Sequence, residues 1–377
     1  MIEGKIRTVC EKDKCAGCMA CVDICPKGAI NIVDDLMAYN AIIDQEKCIN
    51  CNACHRVCQN NYSSTTLEPI YWYQGWAENE VIRSDGSSGG LAGALSKYFI
   101  RSGGEVCSCC FKNGGFYFSF ASTLDELKQF AGSKYVKSNP VGCYKNIKEK
   151  LKNDTKVLFI GLPCQVAAVK NYVGELAENN LYTVDLICHG TPSPTLLDIF
   201  LNQYNYSLKQ MKDVRFRMKD KFQVYDGYRG VITNGVCDKY LIAFLNSLTY
   251  TENCYECQYA RIRRVSDLTL GDSWGTEIGG NQRGKGISLV LCQTEKGHDL
   301  LKASELHLEQ VDLERAIENN HQLSRPSVRP QGYSAFFTGI KRGIKFNQLV
   351  ARTFPKQCLR QDIKRILIKL GLWGEIK

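Results

Sequence analysis

The chain has 377 residues, of which 44% are hydrophobic and 23% charged, as in a globular protein and unlike a disordered one. It contains 20 cysteines, and residues 1–8 lack the apolar stretch of a signal peptide, so we expect metal ligation in a reducing cytoplasm instead of disulfides. The net charge is +9, and residues 339–377 hold ten Lys and Arg against two acidic residues, a difference of +8. The body is therefore close to neutral, and nucleic acid is not an expected partner.

Two cysteine runs of identical spacing, C-x2-C-x2-C-x3-C, lie within a predicted first domain, residues 1–62. The first run is followed by Pro26 and the second by Gln59. This spacing is typical of bacterial two-cluster ferredoxins, in which the fourth Cys of each run binds the other cluster. We therefore predict an α+β ferredoxin-like head with two [4Fe–4S] clusters, one held by Cys15, Cys18, Cys21 and Cys58 and the other by Cys48, Cys51, Cys54 and Cys25. The alternative is a pair of zinc knuckles, but zinc sites take two close pairs of ligands, which leaves the third Cys of each triplet unexplained.

A polar linker, residues 61–69, precedes the first part of a larger body, which we place at residues 70–155. A loop rich in Ser and Gly, residues 84–90, leads into residues 91–101, whose apolar side chains have helical spacing. Free N–H groups at such a helix start suit a phosphate, although an ordinary N-cap turn is an equally good explanation. Further along, residues 105–111 and 116–121 flank Asn113-Gly114, which predicts a β-hairpin.

Two successive strand–turn–helix units lie between residues 156 and 204 and indicate parallel strands joined by a right-handed crossover. They predict an α/β body with a mainly parallel sheet, of which residues 156–325 form the second part. A cysteine follows each strand, and the carboxyl ends of parallel strands form the ligand crevice of such sheets. With a later C-x2-C pair, these residues predict a third [4Fe–4S] cluster held by Cys164, Cys188, Cys254 and Cys257. Alternatively, the first two lie in the core and the last two form half a zinc site.

Other side chains near these cysteines could carry chemistry. His189 directly follows Cys188 and could act as a general acid or donate a hydrogen bond to a flavin, unless it is a structural histidine in a turn. Three arginines, Arg261, Arg263 and Arg264, could hold a pyrophosphate or an acidic substrate, or they could form a solvated basic loop.

The tail, residues 326–377, contains a predicted basic amphipathic helix. Its apolar residues repeat with helical spacing at Ile363, Ile366, Leu367 and Leu370, and Trp373 lies beyond them. Such a helix can lie on an anionic membrane surface or dock an acidic partner. The alternative is a helix that packs on its own domain.

Six motifs occur in one order along the body: Ser87-Ser88-Gly89-Gly90, Gly132-Ser133-Lys134-Tyr135-Val136, Gly161-Leu162-Pro163-Cys164-Gln165, Cys188-His189-Gly190, Cys254-x-x-Cys257 and Leu270-Gly271-Asp272-Ser273-Trp274-Gly275. Together they resemble the beta-subunit family of coenzyme F420 hydrogenases and dehydrogenases, here with a fused ferredoxin head. The resemblance implies an iron–sulfur flavoprotein with FAD beside a [4Fe–4S] cluster, and the sequence does not distinguish FAD from FMN. From the matching motifs, the resemblance implies that the FAD phosphates or ribityl chain would be contacted by Ser87, Ser88, Gly89, Gly90, Ser133 and Lys134. The isoalloxazine pocket would be lined by Gly161, Pro163, Gln165, Gly271, Asp272 and Trp274.

The function predicted from the motifs and the resemblance is that of a cytoplasmic oxidoreductase. It would relay electrons from ferredoxin or another low-potential donor through the clusters to FAD and on to a small or lipid-linked organic substrate. If the tail binds lipid, the enzyme would be peripheral to the inner face of the membrane. One alternative is an F420- or ferredoxin-linked electron-transfer subunit that serves a separate catalytic chain. Another is an iron–sulfur interaction module without flavin.

Overall fold

A computed structural model of the protein describes residues 7–232 and 235–372, so Trp373 lies outside the described residues. The head consists of two short helices and an antiparallel hairpin: α1 (Ala20–Ile24), β1 (Ile30–Asp34), β2 (Tyr39–Ile43) and α2 (Ala53–Val57). Helix α1 begins after Met19 and α2 after Asn52, and both residues have left-handed backbones, with φ of 61° and 57°. Each helix then ends at the fourth cysteine of its run, Cys25 or Cys58, in an extended conformation. The repeat in the sequence is thus also a repeat in backbone conformation.

The body is built on a mixed sheet of eight strands within the described residues, in the order β13-β3-β12-β11-β7-β6-β4-β5. Its strands are β3 (Tyr71–Ala77), β4 (Glu105–Lys112), β5 (Gly115–Ala121), β6 (Val157–Gly161), β7 (Leu181–Leu186), β11 (Leu268–Asp272), β12 (Ser288–Cys292) and β13 (Leu306–Gln310). A smaller antiparallel sheet contains β8 (Val214–Met218), β9 (Lys221–Asp226) and β10 (Arg229–Gly230).

The prediction of a parallel sheet is confirmed for the centre of the large sheet, where β4, β6, β7 and β11 run parallel. Towards both edges the neighbouring strands run antiparallel. One edge is the predicted hairpin of β4 and β5, in which Asn113 and Gly114 both have positive φ, as a two-residue hairpin turn requires. Strands from both predicted parts of the body interleave in this one sheet, because β3 lies between β12 and β13. The boundaries proposed for the two parts remain predictions.

The helices that follow the head are α3 (Glu80–Asp85), α4 (Leu91–Arg101), α5 (Cys143–Lys152), α6 (Pro163–Val173), α7 (Pro194–Asn202), α8 (Lys239–Leu245), α9 (Gly280–Gly284), α10 (Glu295–Ala303), α11 (Leu313–Asn319), α12 (Tyr333–Lys341), α13 (Phe346–Thr353) and α14 (Pro355–Lys369). Helix α4 has the predicted bounds, and α14 confirms that the tail contains a helix. Among the described helices, none is both long enough and apolar enough to cross a membrane.

Helix α6 lies at the junction between body and head. It follows β6 and contacts β6 and β7 on one side and α1, α2 and α5 on the other. Because both sides are covered, its residues 166–169, Val-Ala-Ala-Val, have no exposed surface. An apolar run without amphipathic spacing is what a helix buried on all sides requires. The position of α6 brings the head against the carboxyl ends of the parallel strands.

Candidate iron–sulfur and cofactor site

The first predicted set of cluster ligands gathers where the head meets the body. Cys15, Cys18, Cys21 and Cys58 are all buried. Burial raises the pKa of the Cys18 thiol, and the nearby charges of Cys58, Cys21 and Cys15 raise it further. Charges act on one another in this way only over short distances, so the structure brings the four thiols together.

The second predicted set, Cys25, Cys48, Cys51 and Cys54, lines a concavity with about 380 Å³ of atom-free space, part of it open to solvent. Cys51 is exposed and the other three are partly exposed. Burial raises the pKa of Cys54, as do the charges of Cys25 and Cys48. Four thiols around one concavity suit a [4Fe–4S] cluster, which is held by four Cys thiolates.

The third predicted set combines the two strand-end cysteines with the C-x2-C pair. Cys164 lies in the first turn of α6, three residues after β6 ends, and Cys188 lies two residues after the end of β7. Burial raises the pKa of Cys188, and the charges of Cys254, Cys164 and Cys257 raise it further. Four thiols that are remote in sequence therefore share one crevice, as the strand-end argument predicted. Their role as cluster ligands stays a prediction.

In residues 7–232 and 235–372, no group of three or more His, Cys, Asp or Glu side chains is arranged to hold one metal ion. A [4Fe–4S] cluster takes its thiolates at different iron atoms, whereas the ligands of one Zn²⁺ converge on a single point with Zn–S bonds of about 2.3 Å.

The three thiol sets lie in a row. The charge of Cys54, from the second set, helps to raise the pKa of Cys21 in the first set, after burial and the first set's own charges. The charge of Cys18, from the first set, acts on Cys164 in the third set, whose pKa is raised chiefly by burial. Tyr259 lies between the first and third sets, since thiols of both sets add to the effect of burial in raising its pKa. Cys51 of the second set is exposed, the first set is buried, and three of the four thiols of the third set are partly exposed.

Buried hydrogen bonds hold the head loops against the body beside the first set. The Tyr144 hydroxyl donates to the Cys18 carbonyl oxygen over 2.8 Å, and the Tyr259 hydroxyl donates to Gln59 Oε1 over 2.7 Å. Lys137 Nζ donates to the Ala16 carbonyl oxygen over 3.0 Å. These contacts attach the loops of the first set to the body.

Arg264 joins the two halves of the third set. Its Nε and Nη2 donate to Asp185 Oδ1 over 3.2 and 3.1 Å. Its Nη1 donates to the Tyr259 carbonyl oxygen over 2.6 Å, and Nη2 donates to the Leu186 carbonyl oxygen over 2.8 Å. Leu186 and Tyr259 each lie two residues from a cysteine of the third set. Arg264 therefore serves a buried ion pair, which rules it out as a free ligand for a pyrophosphate.

The residues predicted to contact FAD phosphates come from two loops that meet. The Ser133 backbone N donates to Ser87 Oγ over 2.8 Å. Ser88 Oγ donates to the Ile287 carbonyl oxygen and the Gly89 backbone N donates to Ser288 Oγ, both over 2.9 Å. A Cβ on Gly89 would lie 2.5 Å from the Gly75 carbonyl oxygen, so only glycine fits there. Gly90 caps α4 with φ of 83°. The loop is thus tied closely to the sheet.

Partly buried cations lie beside these loops. Lys134 Nζ donates to the carbonyl oxygens of Ala131 and Gly132 over 2.6 and 2.8 Å. Lys219 Nζ donates to the carbonyl oxygens of Arg83, Gly86 and Ser88. Burial, with the charges of the neighbouring Arg83 and Arg217, lowers the pKa of Lys219 to about 8.

Sequence reasoning missed Lys219 and Arg83, because neither lies in a recognised motif. Lys219 lies in the turn between β8 and β9, with φ of 56°. Arg83 is buried in α3 with its guanidinium 4.5 Å from the Trp76 ring, and its Nε has no hydrogen-bond partner among the described atoms. The local excess of positive charge suits a pyrophosphate.

The residues predicted to line the flavin ring divide into two sets. Gly161, Pro163 and Gln165 are buried at the start of α6. Gln165 Oε1 accepts from the Leu162 backbone N over 2.9 Å, and its Nε2 donates to Ser138 Oγ over 3.0 Å. Both ends of this amide are therefore used inside the protein. A role of these three residues at a flavin ring stays a prediction.

Gly271 and Asp272 instead end β11 at a partly open edge, and Trp274 lies two residues beyond the strand. Asp272 Oδ2 accepts from Arg217 Nη1 over 2.5 Å. The Arg217 guanidinium lies 5.3 Å from the centroid of the Trp274 ring, which is 42% exposed. An ion pair beside an exposed indole can face a bound aromatic ring, and Arg217 is a member of this site that no sequence motif marked.

His189 lies beside the Arg217–Asp272 ion pair. Burial lowers the pKa of His189 to about 4, the charges of His321 and Arg217 lower it as well, and the charge of Asp272 opposes them. Its Nδ1 is 2.8 Å from Gln322 Nε2, and Ser327 Oγ donates to its carbonyl oxygen over 2.7 Å. Sequence reasoning also missed Gln322. His189 thus connects Cys188 of the third thiol set with the edge that carries Asp272.

Three neighbouring thiol sets beside a group of cations are the arrangement expected of an iron–sulfur electron-transfer protein. Residues 14–62 match the family model of the 4Fe-4S dicluster domain, which supports iron–sulfur clusters in the head. Residues 154–315 match the family model for the C terminus of the coenzyme F420 hydrogenase/dehydrogenase beta subunit, so this part of the chain is similar to that family. The recognition from sequence motifs is confirmed.

A solved structure of the F420-reducing [NiFe] hydrogenase complex from Methanosarcina barkeri, derivatized with xenon, contains a similar chain. The match has a TM-score of 0.47 and 20% identity, and it covers 68% of this chain and 91% of that chain. A comparison with curated proteins found no match.

Proposed function

We propose that the protein is an FAD-dependent oxidoreductase that receives single electrons at its head and relays them through three [4Fe–4S] clusters towards an organic substrate. The row of three thiol sets, whose one exposed thiol, Cys51, lies at the outer end, is the observation that carries the proposal. When bound, FAD would supply storage of two electrons and hydride transfer, which the protein itself cannot provide.

Electrons would be received at the second thiol set, because it contains Cys51, the one thiol of the three sets that is fully exposed. Its concavity is also lined by Arg7 and Lys27. Arg56 is exposed beside it, and Arg56 Nη1 donates to the Cys51 carbonyl oxygen over 3.1 Å. Cations around the site where electrons enter favour an acidic donor such as ferredoxin and speed its association.

Backbone amides would tune the clusters in the head. The Gly17 backbone N donates to Cys15 Sγ and the Asn50 backbone N to Cys48 Sγ, both over 3.4 Å. The two donors occupy equivalent positions in the two cysteine runs. Hydrogen bonds to ligand sulfurs are among the factors that set the reduction potential of an iron–sulfur cluster.

At the inner end, the residues present fit a dinucleotide in charge and in loop type. The Ser87–Gly90 loop, with Lys219 and Arg83 behind it, would hold the pyrophosphate. Arg217, Asp272 and Trp274 would lie against the ring system. His189 is adjacent to both this edge and the third thiol set, so it would position groups between them.

Anaerobic analysis of iron, sulfide and flavin per chain, followed by titration with reduced ferredoxin, tests the proposal. We expect about twelve iron atoms, from three four-iron clusters, and about one FAD that becomes fully reduced. About eight iron atoms with flavin would remove the body cluster from the scheme. About eight iron atoms without flavin, even after reconstitution with FAD, would refute the proposed enzyme.

The alternative is a subunit that delivers electrons to a separate catalytic chain. It predicts the same iron content and the same reduction by ferredoxin. Under this alternative, however, the isolated chain would not reduce an organic substrate, and turnover would be measured only when the partner chain is present.

A further inference from the structure

Helix α14 in the tail carries an exposed apolar stripe. Leu359, Ile363, Ile366 and Leu370 are between 49% and 65% exposed. Their spacing of four, three and four residues places them on one face of the helix. A contiguous apolar patch at the surface usually marks an interaction site, and the electron relay proposed above makes no use of this one.

Another face of α14 is already docked on the body. Cys358 is buried, and the Cys237 backbone N donates to Gln361 Oε1 over 3.0 Å. Lys239 Nζ lies 2.9 Å from Asp362 Oδ1. These contacts fix the rotation of the helix about its axis and turn the stripe outward. The helix packs on its own domain, as one alternative held, but through a different face from the one that the sequence pattern marked.

Cations border the stripe. At 3.6 residues per turn, Lys356 and Arg360 lie along one flank and Lys369 along the other, and all three are exposed. The single acidic residue of α14, Asp362, is engaged with Lys239. An apolar face bordered by cations suits a membrane surface with anionic lipids, where the apolar side chains enter the boundary of the acyl chains and the cations meet lipid phosphates.

The charges also favour a membrane over a second copy of this chain as the partner that covers the stripe. Two copies that met through their stripes would bring the flanking cations of both helices close together. Like charges at close range oppose association, whereas an anionic lipid surface neutralises them. We propose that α14 holds the protein at the surface of anionic membranes.

The test is co-sedimentation of the full, iron-loaded chain with phosphatidylcholine vesicles that contain or lack phosphatidylglycerol. We expect binding only to the anionic vesicles, and binding that weakens as salt is added. In a cation variant, Lys356→Gln, Arg360→Gln and Lys369→Gln, each lost charge should reduce the affinity about fivefold, a total on the order of a hundredfold. In a stripe variant, Ile363→Ser, Ile366→Ser and Leu370→Ser, binding should be lost.

Val328→Ser is the matched control, because Val328 is 70% exposed and lies outside α14. It should bind as the unchanged protein does, and an unchanged iron content would show that each variant is folded. Equal binding to both kinds of vesicle, or unchanged binding of the stripe variant, would overturn the proposal. A dimer in solution that the stripe variant converts to a monomer would also overturn it and would identify a second copy as the occupant.

Discussion

Replacement of Arg264 by Met should strongly destabilise the protein and empty the third thiol set. The side chains of Arg264 and Asp185 are 1% and 0% exposed. Without the guanidinium, Asp185 Oδ1 loses both of its donors, while Asp185 Oδ2 already has none among the described residues. The backbone carbonyl oxygens of Leu186 and Tyr259 lose theirs as well.

Removal of one partner from a buried ion pair costs about 3–5 kcal/mol, because a charge remains buried without compensation. The double variant Arg264→Met, Asp185→Leu removes both charges and should recover most of the loss. Arg263→Met is the matched control, since Arg263 is half exposed and lies 3.6 Å from the half-exposed Glu68. A surface pair of this kind contributes about 0–1 kcal/mol.

The assay is the midpoint of urea unfolding under anaerobic conditions, with iron content per chain as a second readout. We expect a large fall in the midpoint and a loss of iron for Arg264→Met, little change for Arg263→Met, and recovery of the midpoint in the double variant. If Arg264→Met resembled Arg263→Met, or if the double variant were as unstable as the single one, the argument from a stranded buried charge would be refuted.

Two further predictions concern the crevice. The double variant Cys254→Ala, Cys257→Ala should lose about four iron atoms per chain. The control is Cys292→Ala, which removes a buried thiol of β12 and should lose no iron. Equal iron content in the two variants would contradict the third cluster. The second concerns Lys219, whose pKa in the folded chain is about 8 against an ordinary 10.5. Because the unfolded chain binds more protons between these values, the unchanged protein should gain stability relative to Lys219→Met as the pH rises from about 8 to about 10.5. Melting temperatures of the two proteins test this, and a difference that stays constant with pH would disprove it.

Local signals determined the features that the sequence predicted well. The cysteine spacing marks loops of a few residues, and the structure repeats a left-handed residue, Met19 or Asn52, at the same place in both runs. Asn113-Gly114 determined a hairpin turn, because both residues tolerate positive φ. The crevice shared by Cys164 and Cys188 followed from a general rule about the ends of parallel strands.

Only the tertiary structure decided how remote segments combine. Lys219 reaches the loop at Ser88 from 131 positions away, and Arg264 meets Asp185 across 79 positions. The outward rotation of α14 likewise depends on Lys239, far from the helix in sequence. The physical reason is the same in each case: charge pairs and burial depend on which surfaces pack together, and a spacing pattern within one segment contains no information about its distant neighbours.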